Sequence, residues 1–518
     1  ERFGPQSGGG EGVKYKIGAL IMVIALLSVT AMATAADSGS DNNRYHQHLE
    51  AAVPSGPCTC DGSELCTHLP IIRIDTDGQY IPGEIIFAEN GETVLGYTTA
   101  DDGSPEIAVT IETIEGEGQW HHASDEATYS STALFRIRGN SSRNFPKKNY
   151  RIKLVTDETG LKSNSLPLLG MSTENDWALH GPFLDKTLMR NYMWMNISAE
   201  IMGYAPNVRF CEVILNGEYQ GVYVLMETIK EDEYRVDLSD YEPGSAATSY
   251  ILLMDAADEG VLIENYTWYT QQLEFNEVAR TGIKVIYPQE EYLSEDVVSF
   301  IQRDVSRLER GLYSSDMVIG KYGYSAEIDV GSFVDYYILQ EFLANNDAFS
   351  RSTYFYRDVR GKLTLGPVWD YNNVLNNYFY DFSHSGFLLA NRSWYGRMMT
   401  DETFVRRVIA RYRELREGVL SDEYLVGYIN DVVEYLGDAI ERNDEVWGYS
   451  YNADLLGPNQ RREPDSNQTL EDVNPESHEQ AVGWMTGYML ARGEWMDEHI
   501  EDLLQYCHPS KTASQAVE

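Results

Sequence analysis

The stretch 341–377, EFLANNDAFSRSTYFYRDVRGKLTLGPVWDYNNVLNN, constrains the fold more than any other part of the chain. Thr353-Tyr354-Phe355-Tyr356 alternates with the two-residue period of a strand, and the polar turn with Gly361 that follows is a hairpin signal. The pattern predicts a helix end, a polar loop around Asp347, a strand over 352–357, a turn over 358–362 and a second strand over 363–368. A hairpin brings the loop before it and the loop after it to the same end. Asp347 and Asp370 are therefore expected to face one another, flanked by Asn345, Asn346, Asn372 and Asn373. Two such carboxylates suit two jobs: one orients a nucleophile or takes its proton, and the other holds a hard cation. Taken singly, each Asp reads as an ordinary cap or turn residue.

At 518 residues the chain exceeds what one core fills, so two or more subdomains are expected. Its 36 tyrosines and 43% hydrophobic content specify a folded protein rather than a disordered one. The formal charge of −41 argues against a nucleic-acid partner, whose phosphates it would repel.

Residues 1–12 read as an upstream tail. Lys14 and Lys16, the apolar run 17–29 and the small residues Ala31, Ala33 and Ala35 follow the order of a secretory signal peptide ending near 36. An uncleaved anchor is the alternative, although the run is short for a span. No later stretch is apolar enough to cross a membrane. Residues 37–68 read as a linker containing Cys58, Cys60 and Cys66. Export favours a local disulfide among them, and a metal site lacks a fourth ligand in the neighbouring sequence.

Alternating segments at 69–74, 84–87, 107–114 and 133–138 predict a β-rich region. The stretch LFRIRGNSSRNFPKKNYRIKL (134–154) reads as strand, polar loop, strand, with Arg136, Arg138, Arg143, Lys147, Lys148, Arg151 and Lys153 concentrated in an otherwise acidic chain. Exposed amides, hydroxyls and cations suit a polyphosphate; a basic hairpin on an acidic surface is the plainer reading. It is not a Walker A loop. Helical spacing runs over 185–202, with Asp185 as its N-cap or first-turn acid and Arg190 as either a functional cation or a partner of a nearby acid. Asn216-Gly217 sits between two strands, a strong hairpin signal. The second strand ends at Met226-Glu227, where a hinge would touch a nucleobase in a two-lobed nucleotide enzyme. Helices are predicted over 294–312, 401–417, 422–442 and 479–504, with Asp329 or Ser332 capping the helix that delivers Asp347.

RGNSSRNFPKKNYRIKL, DWALHGPFLDKTLMRN, LNGEYQGVYVLMETI and NND…STYFYRD…GKLTLGPVWDYNN, in this order, resemble the spore coat protein H (CotH) kinase family over roughly 70–505. The resemblance implies an α+β, two-lobed, atypical protein-kinase-like fold, with a β-rich N-lobe over about 69–230, a helical C-lobe over about 290–505 and a tail over 506–518. It implies a secreted enzyme that uses ATP with Mg²⁺ or Mn²⁺ to phosphorylate Ser or Thr on an exported or cell-surface protein. Asp347 matches the family's catalytic Asp and Asp370 its metal-binding Asp. Arg143, Lys147, Lys148 and Lys153 sit where phosphates would be held, and Met226 and Glu227 where adenine would be. The family's W-D-x-D pattern ends here in Asn372, a neutral metal donor, and Ser352 stands where many kinases place a metal-binding Asn. A weakened member acting as a surface-binding protein is the alternative. No G-x-S-x-G is present for a Ser-His-Asp hydrolase.

Overall fold

In the computed structural model, residues 46–89, 93–256, 260–263 and 281–507 are described. The expected signal segment lies outside them. Within the described residues no helix is long and apolar enough to cross a membrane.

A short helix, α1 (Gln47–Glu50), precedes strands β1 (Cys66–Thr67), β2 (Ile71–Asp75), β3 (Ile85–Phe87), β4 (Val94–Tyr97), β5 (Ile107–Ile114), β6 (His121–His122), β7 (Tyr129–Arg138), β8 (Asn149–Val155) and β9 (Asp176–His180). Helix α2 (Arg190–Ile201) leads to β10 (Val208–Leu215) and β11 (Glu218–Glu227). Seven strands close a barrel in the order β10-β11-β9-β8-β7-β5-β2, sealed by the parallel pairing of β2 with β10. The period-two pattern specifies its inside: Phe135 and Ile137 of β7 and Ile152 and Leu154 of β8 are buried in the barrel core. The Asn216-Gly217 turn joins β10 to β11, with both residues at positive φ, as the twist of a tight hairpin requires.

Strands β12 (Tyr250–Ala256) and β13 (Thr281–Tyr287) come next, then helices α3 (Glu295–Tyr313) and α4 (Val330–Phe342). Asp329 is the cap of α4, accepting from Gly331 N and Ser332 N. Strands β14 (Thr353–Arg357) and β15 (Thr364–Leu365) form the expected hairpin and complete a second sheet, β13-β12-β14-β15.

The remainder is helical: α5 (Ser393–Met398), α6 (Glu402–Arg416), α7 (Asp422–Leu436), α8 (Asp438–Trp447), α9 (Leu470–Val473) and α10 (His478–His499). The single helix predicted over 422–442 is broken at Gly437, which takes a positive φ. The helix predicted from 185 begins at Arg190. Asp185 instead ties the preceding turn, accepting from Thr187 N and Arg190 N.

Part of the expected linker is ordered. His46 and Gln47 are buried, His48 Nδ1 lies 2.8 Å from Tyr192 Oη, and β1 pairs with β6. All five cysteines carry free thiols, so the expected local disulfide is not formed.

Candidate active site

The hairpin does to the two carboxylates what its sequence implies. Asp347 in the loop after α4 and Asp370 after β15 line one cavity of about 480 Å³. Its opposite wall is β7 and the loop that follows. Because Phe135 and Ile137 point into the barrel, Arg136 and Arg138 point out of it, into this cavity. The loop 139–143 turns across the mouth. Gly139 has a φ of +109°, and a Cβ there would lie 2.0 Å from Ser142 Oγ, so the turn requires glycine. The third wall is the second sheet, through Asp255 of β12, Lys284 of β13 and Tyr354 of β14. Antiparallel register pairs Met254 with Thr353, which brings Asp255 beside the start of β14.

Three half-buried carboxylates thus line one cavity, and the two aspartates that flank the hairpin titrate accordingly. Burial pushes the Asp370 carboxyl up to about 7; the nearby Asp347 and Asp255 charges add to the rise, and Arg138 opposes it. Burial also raises Asp347, against the pull of Asn373, Arg351 and Arg392. The Arg138 guanidinium stacks 5.3 Å from the Trp369 ring centre, and burial lowers its pKa despite Asp370 close by.

The loops are held in strained backbone. Ala344, Phe349, Ser352, Asp370, Leu375 and Asn376 all have positive φ, six of the eleven such non-glycine residues among those described. Strain on this scale persists only where surrounding contacts over-determine it. Those contacts are present. Arg392 donates to Asn346 O and Ala348 O at 2.7 and 2.9 Å. From the other side, the start of α2 grips the second loop: Asn191 Oδ1 accepts from Tyr371 N at 2.7 Å, and Arg190 Nε donates to Val374 O at 3.0 Å. Arg190 is also paired with buried Asp185, so its part is to position the Asp370 loop.

Other residues expected at the site fall elsewhere. Of the four basic residues predicted to hold phosphates, only Arg143 lines the cavity. It also braces the loop, donating to Gly139 O, Gly83 O and Ile137 O and covering the Tyr97 ring. Lys148 Nζ donates to Arg143 O at 2.8 Å, a support from behind. Lys147 is buried away from the cavity, donating to Asn443 Oδ1 of α8 at 2.7 Å. Lys153 lies on β8 and is not part of the cavity wall.

The hinge expectation for Met226 and Glu227 fails for a clear reason. Strand β11 is paired on both edges, Met226 with Val208 and with Ala178, so it offers no free backbone to a base. The Glu227 carboxylate is buried and accepts from Asn207 N and Tyr204 Oη. Asn373, rather than Asn372, lines the cavity. Asn372 Nδ2 donates to Asn373 Oδ1 at 3.0 Å, while its own Oδ1 is buried without a hydrogen-bond partner. Asp255 and Lys284 line the cavity without any motif in the sequence around them. They reach the cavity through long-range strand pairing, which leaves no local signal.

A cleft that sets clustered carboxylates against guanidinium groups belongs to the class of polar sites suited to an anionic substrate and a hard cation. A family model described as CotH kinase protein matches residues 135–496, and the chain belongs to that family. The chain is also similar to the inner spore coat protein H of Bacillus subtilis (strain 168), at 21% identity over 235 residues. That match covers 45% of this chain and 56% of the relative, a little over half its length.

Proposed function

We propose that the protein is an atypical protein kinase that transfers the γ-phosphoryl group of ATP to a Ser or Thr hydroxyl of an exported or surface protein. The observation that carries this reading is the meeting of Asp347 and Asp370 in one arginine-walled cavity. In it the barrel acts as the N-lobe and the helical part as the C-lobe. Arg136, Arg138 and the amides of the 139–143 loop bind the polyphosphate, and the aromatic wall at Tyr354 offers a stacking face to the base. The donor set fits a divalent ion, since carboxylate and amide oxygens are its preferred ligands and Asp255, Asp370 and Asn373 line the cavity together. Asp370, Asp255 and Asn373 would hold Mg²⁺ or Mn²⁺, with Asn372 fixing the Asn373 amide. A bound ion supplies charge neutralisation on the phosphates.

Asp347 accepts the hydrogen bond of the incoming hydroxyl and takes its proton as the oxygen attacks phosphorus. The bond to the β-phosphate oxygen breaks and ADP leaves. Catalysis is then mostly positioning and electrostatics, which is why rigidly held loops matter. The relative's name places that protein in the inner spore coat; a coat or cell-surface location, reached through the signal segment, is the corresponding reading here.

The test is transfer of radiolabelled γ-phosphate with Mg²⁺ or Mn²⁺, to the chain itself or to a Ser-rich protein. Label present in wild type and lost in Asp347→Ala and in Asp370→Ala supports a kinase. Nucleotide binding without transfer supports a weakened surface-binding member, with Asn372 in the W-D-x-D pattern as the reason. Phosphate release without labelling of protein supports a hydrolase. The cations separate cleanly: Arg138→Met is expected to lower transfer by about 10²-fold, as for loss of a charge-stabilising group. Lys147→Met is expected to leave it within about threefold, because Asn443 Oδ1 keeps its bond from Val222 N.

A further inference from the structure

A second cluster stands apart from the cavity, upstream of the stretch that carries the family match. Strand β1 pairs antiparallel with β6, and the register sets Cys66 directly opposite His122. The loop before β1 folds back so that Cys58 Sγ lies 3.3 Å from His122 Nε2, and Cys60 N–H points at Cys58 Sγ at 3.4 Å. One ligand atom from each of Cys58, Cys60, Cys66 and His122 lies within 4.8 Å of all the others. In a tetrahedral zinc site with three sulfurs and one nitrogen, bonds of about 2.3 Å to sulfur and about 2.0 Å to nitrogen place ligand atoms about 3.5–3.8 Å apart. The cluster is therefore within a small side-chain adjustment of coordination geometry.

Its surroundings are those of a built site. His122 Nδ1 lies 3.3 Å from Asp125 Oδ2, the carboxylate–histidine arrangement that fixes the tautomer and leaves Nε2 free to ligate. The same Asp125 oxygen accepts from His122 N at 2.7 Å. The loop beyond is clamped to the opposite segment, with Glu64 accepting from Ser124 N and Oγ at 2.8 and 2.7 Å. Three sulfur donors and one imidazole suit zinc over the hard cations, which prefer oxygen. A disulfide would use two of the thiols and leave the third and the imidazole without a role.

We propose that Cys58, Cys60, Cys66 and His122 bind one Zn²⁺ in a structural site that fastens the segment 46–67 to the barrel. Binding deprotonates the three thiols, releases their protons to solvent and changes no oxidation state. The site is independent of the phosphoryl-transfer reading.

The experiment uses the full chain, produced with added zinc and purified without chelator under thiol-preserving conditions. Elemental analysis is expected to give one zinc per chain. Cobalt replacement is expected to give the visible bands of a tetrahedral ion and thiolate-to-cobalt charge transfer. Cys58→Ser and His122→Ala should lose the zinc, whereas Asp370→Ala should keep it. Asp125→Asn retains all four ligands, so it stays interpretable if the ligand variants fail to fold. It should weaken zinc by about 10–100-fold in competition with a chromophoric chelator. A folded wild-type chain without zinc, zinc retained by folded Cys58→Ser, or a disulfide among the three cysteines by mass spectrometry would each overturn the proposal.

Discussion

Asp370→Asn is expected to abolish phosphoryl transfer and at the same time make the folded protein more stable. The loss of activity follows from removing the anionic donor for the cation, and about 10³-fold is the scale for deleting a preorganised electrostatic group. The gain follows from burial. The Asp370 carboxyl is raised from 3.8 to about 7 in the folded protein, so below pH 4 it is protonated in both folded and unfolded chains. Between about 4 and 7 the folded chain binds the proton more tightly than the unfolded one. Stability therefore falls as pH rises through that window. At about 1.36 kcal/mol per pH unit, the cost in the ionised form approaches 4 kcal/mol as an upper limit. Asn keeps the shape and removes the charge. Its advantage over wild type should be absent near pH 4 and reach about 1–4 kcal/mol above pH 7, a rise of about 1–4 °C in midpoint for a chain of this length. Saturating Mg²⁺ should narrow the gap by stabilising wild type alone. Thermal melts of both proteins from pH 4 to 8, with and without Mg²⁺, check this. Equal melting at pH 8 without metal would mean that Asp370 is not a strained carboxylate.

The same residues show what can be read from sequence. The hairpin and its two aspartates are legible because period-two alternation and a turn are local signals, and closing the turn alone brings the two loops together. The second strand is shorter than its pattern, ending at Leu365, because Pro367 has no N–H to give the ladder. Of the basic residues expected at phosphate only Arg143 lines the cavity, because composition does not say which way each side chain of the 139–153 stretch points. The fold decides that: Lys147 goes to Asn443 of α8 and Lys148 to Arg143 O, while Arg136 and Arg138 of β7 face the cavity that holds Asp370. The hinge at Met226 looked accessible because a hairpin strand usually has a free edge; β9, about fifty residues earlier in the chain, takes that edge. Asp255 joins the acidic pair through the β12–β14 register, and His122 joins the cysteines through the β1–β6 register. Neither pairing has a signal within a short window. Local chemistry was visible, and residues recruited by long-range pairing were not.

The largest loss of stability is expected at a pair remote from substrate. Glu341, at the end of α4, and Arg492 of α10 are both fully buried and joined at 2.9 Å. Every polar atom of the pair has work. The Glu341 carboxylate also accepts from Leu388 N and Leu389 N, at 2.9 and 2.6 Å. Arg492 Nε donates to Glu341 O at 2.8 Å, and its Nη1 donates to His384 O and Gly386 O at 2.8 and 2.6 Å. The pair thus joins three segments distant in sequence at the base of the loop that carries Asp347. Removing one partner leaves the other charge buried without compensation, which costs about 3–5 kcal/mol. Glu341→Ala and Arg492→Ala should each lower unfolding free energy by that amount in denaturant titrations. The double variant should lose less than the sum, since the second substitution removes the stranded charge. Additive losses would mean that each side chain acts through its backbone partners alone. Transfer activity in the folded fraction should fall as well, because Asp347 is anchored only as firmly as the end of α4.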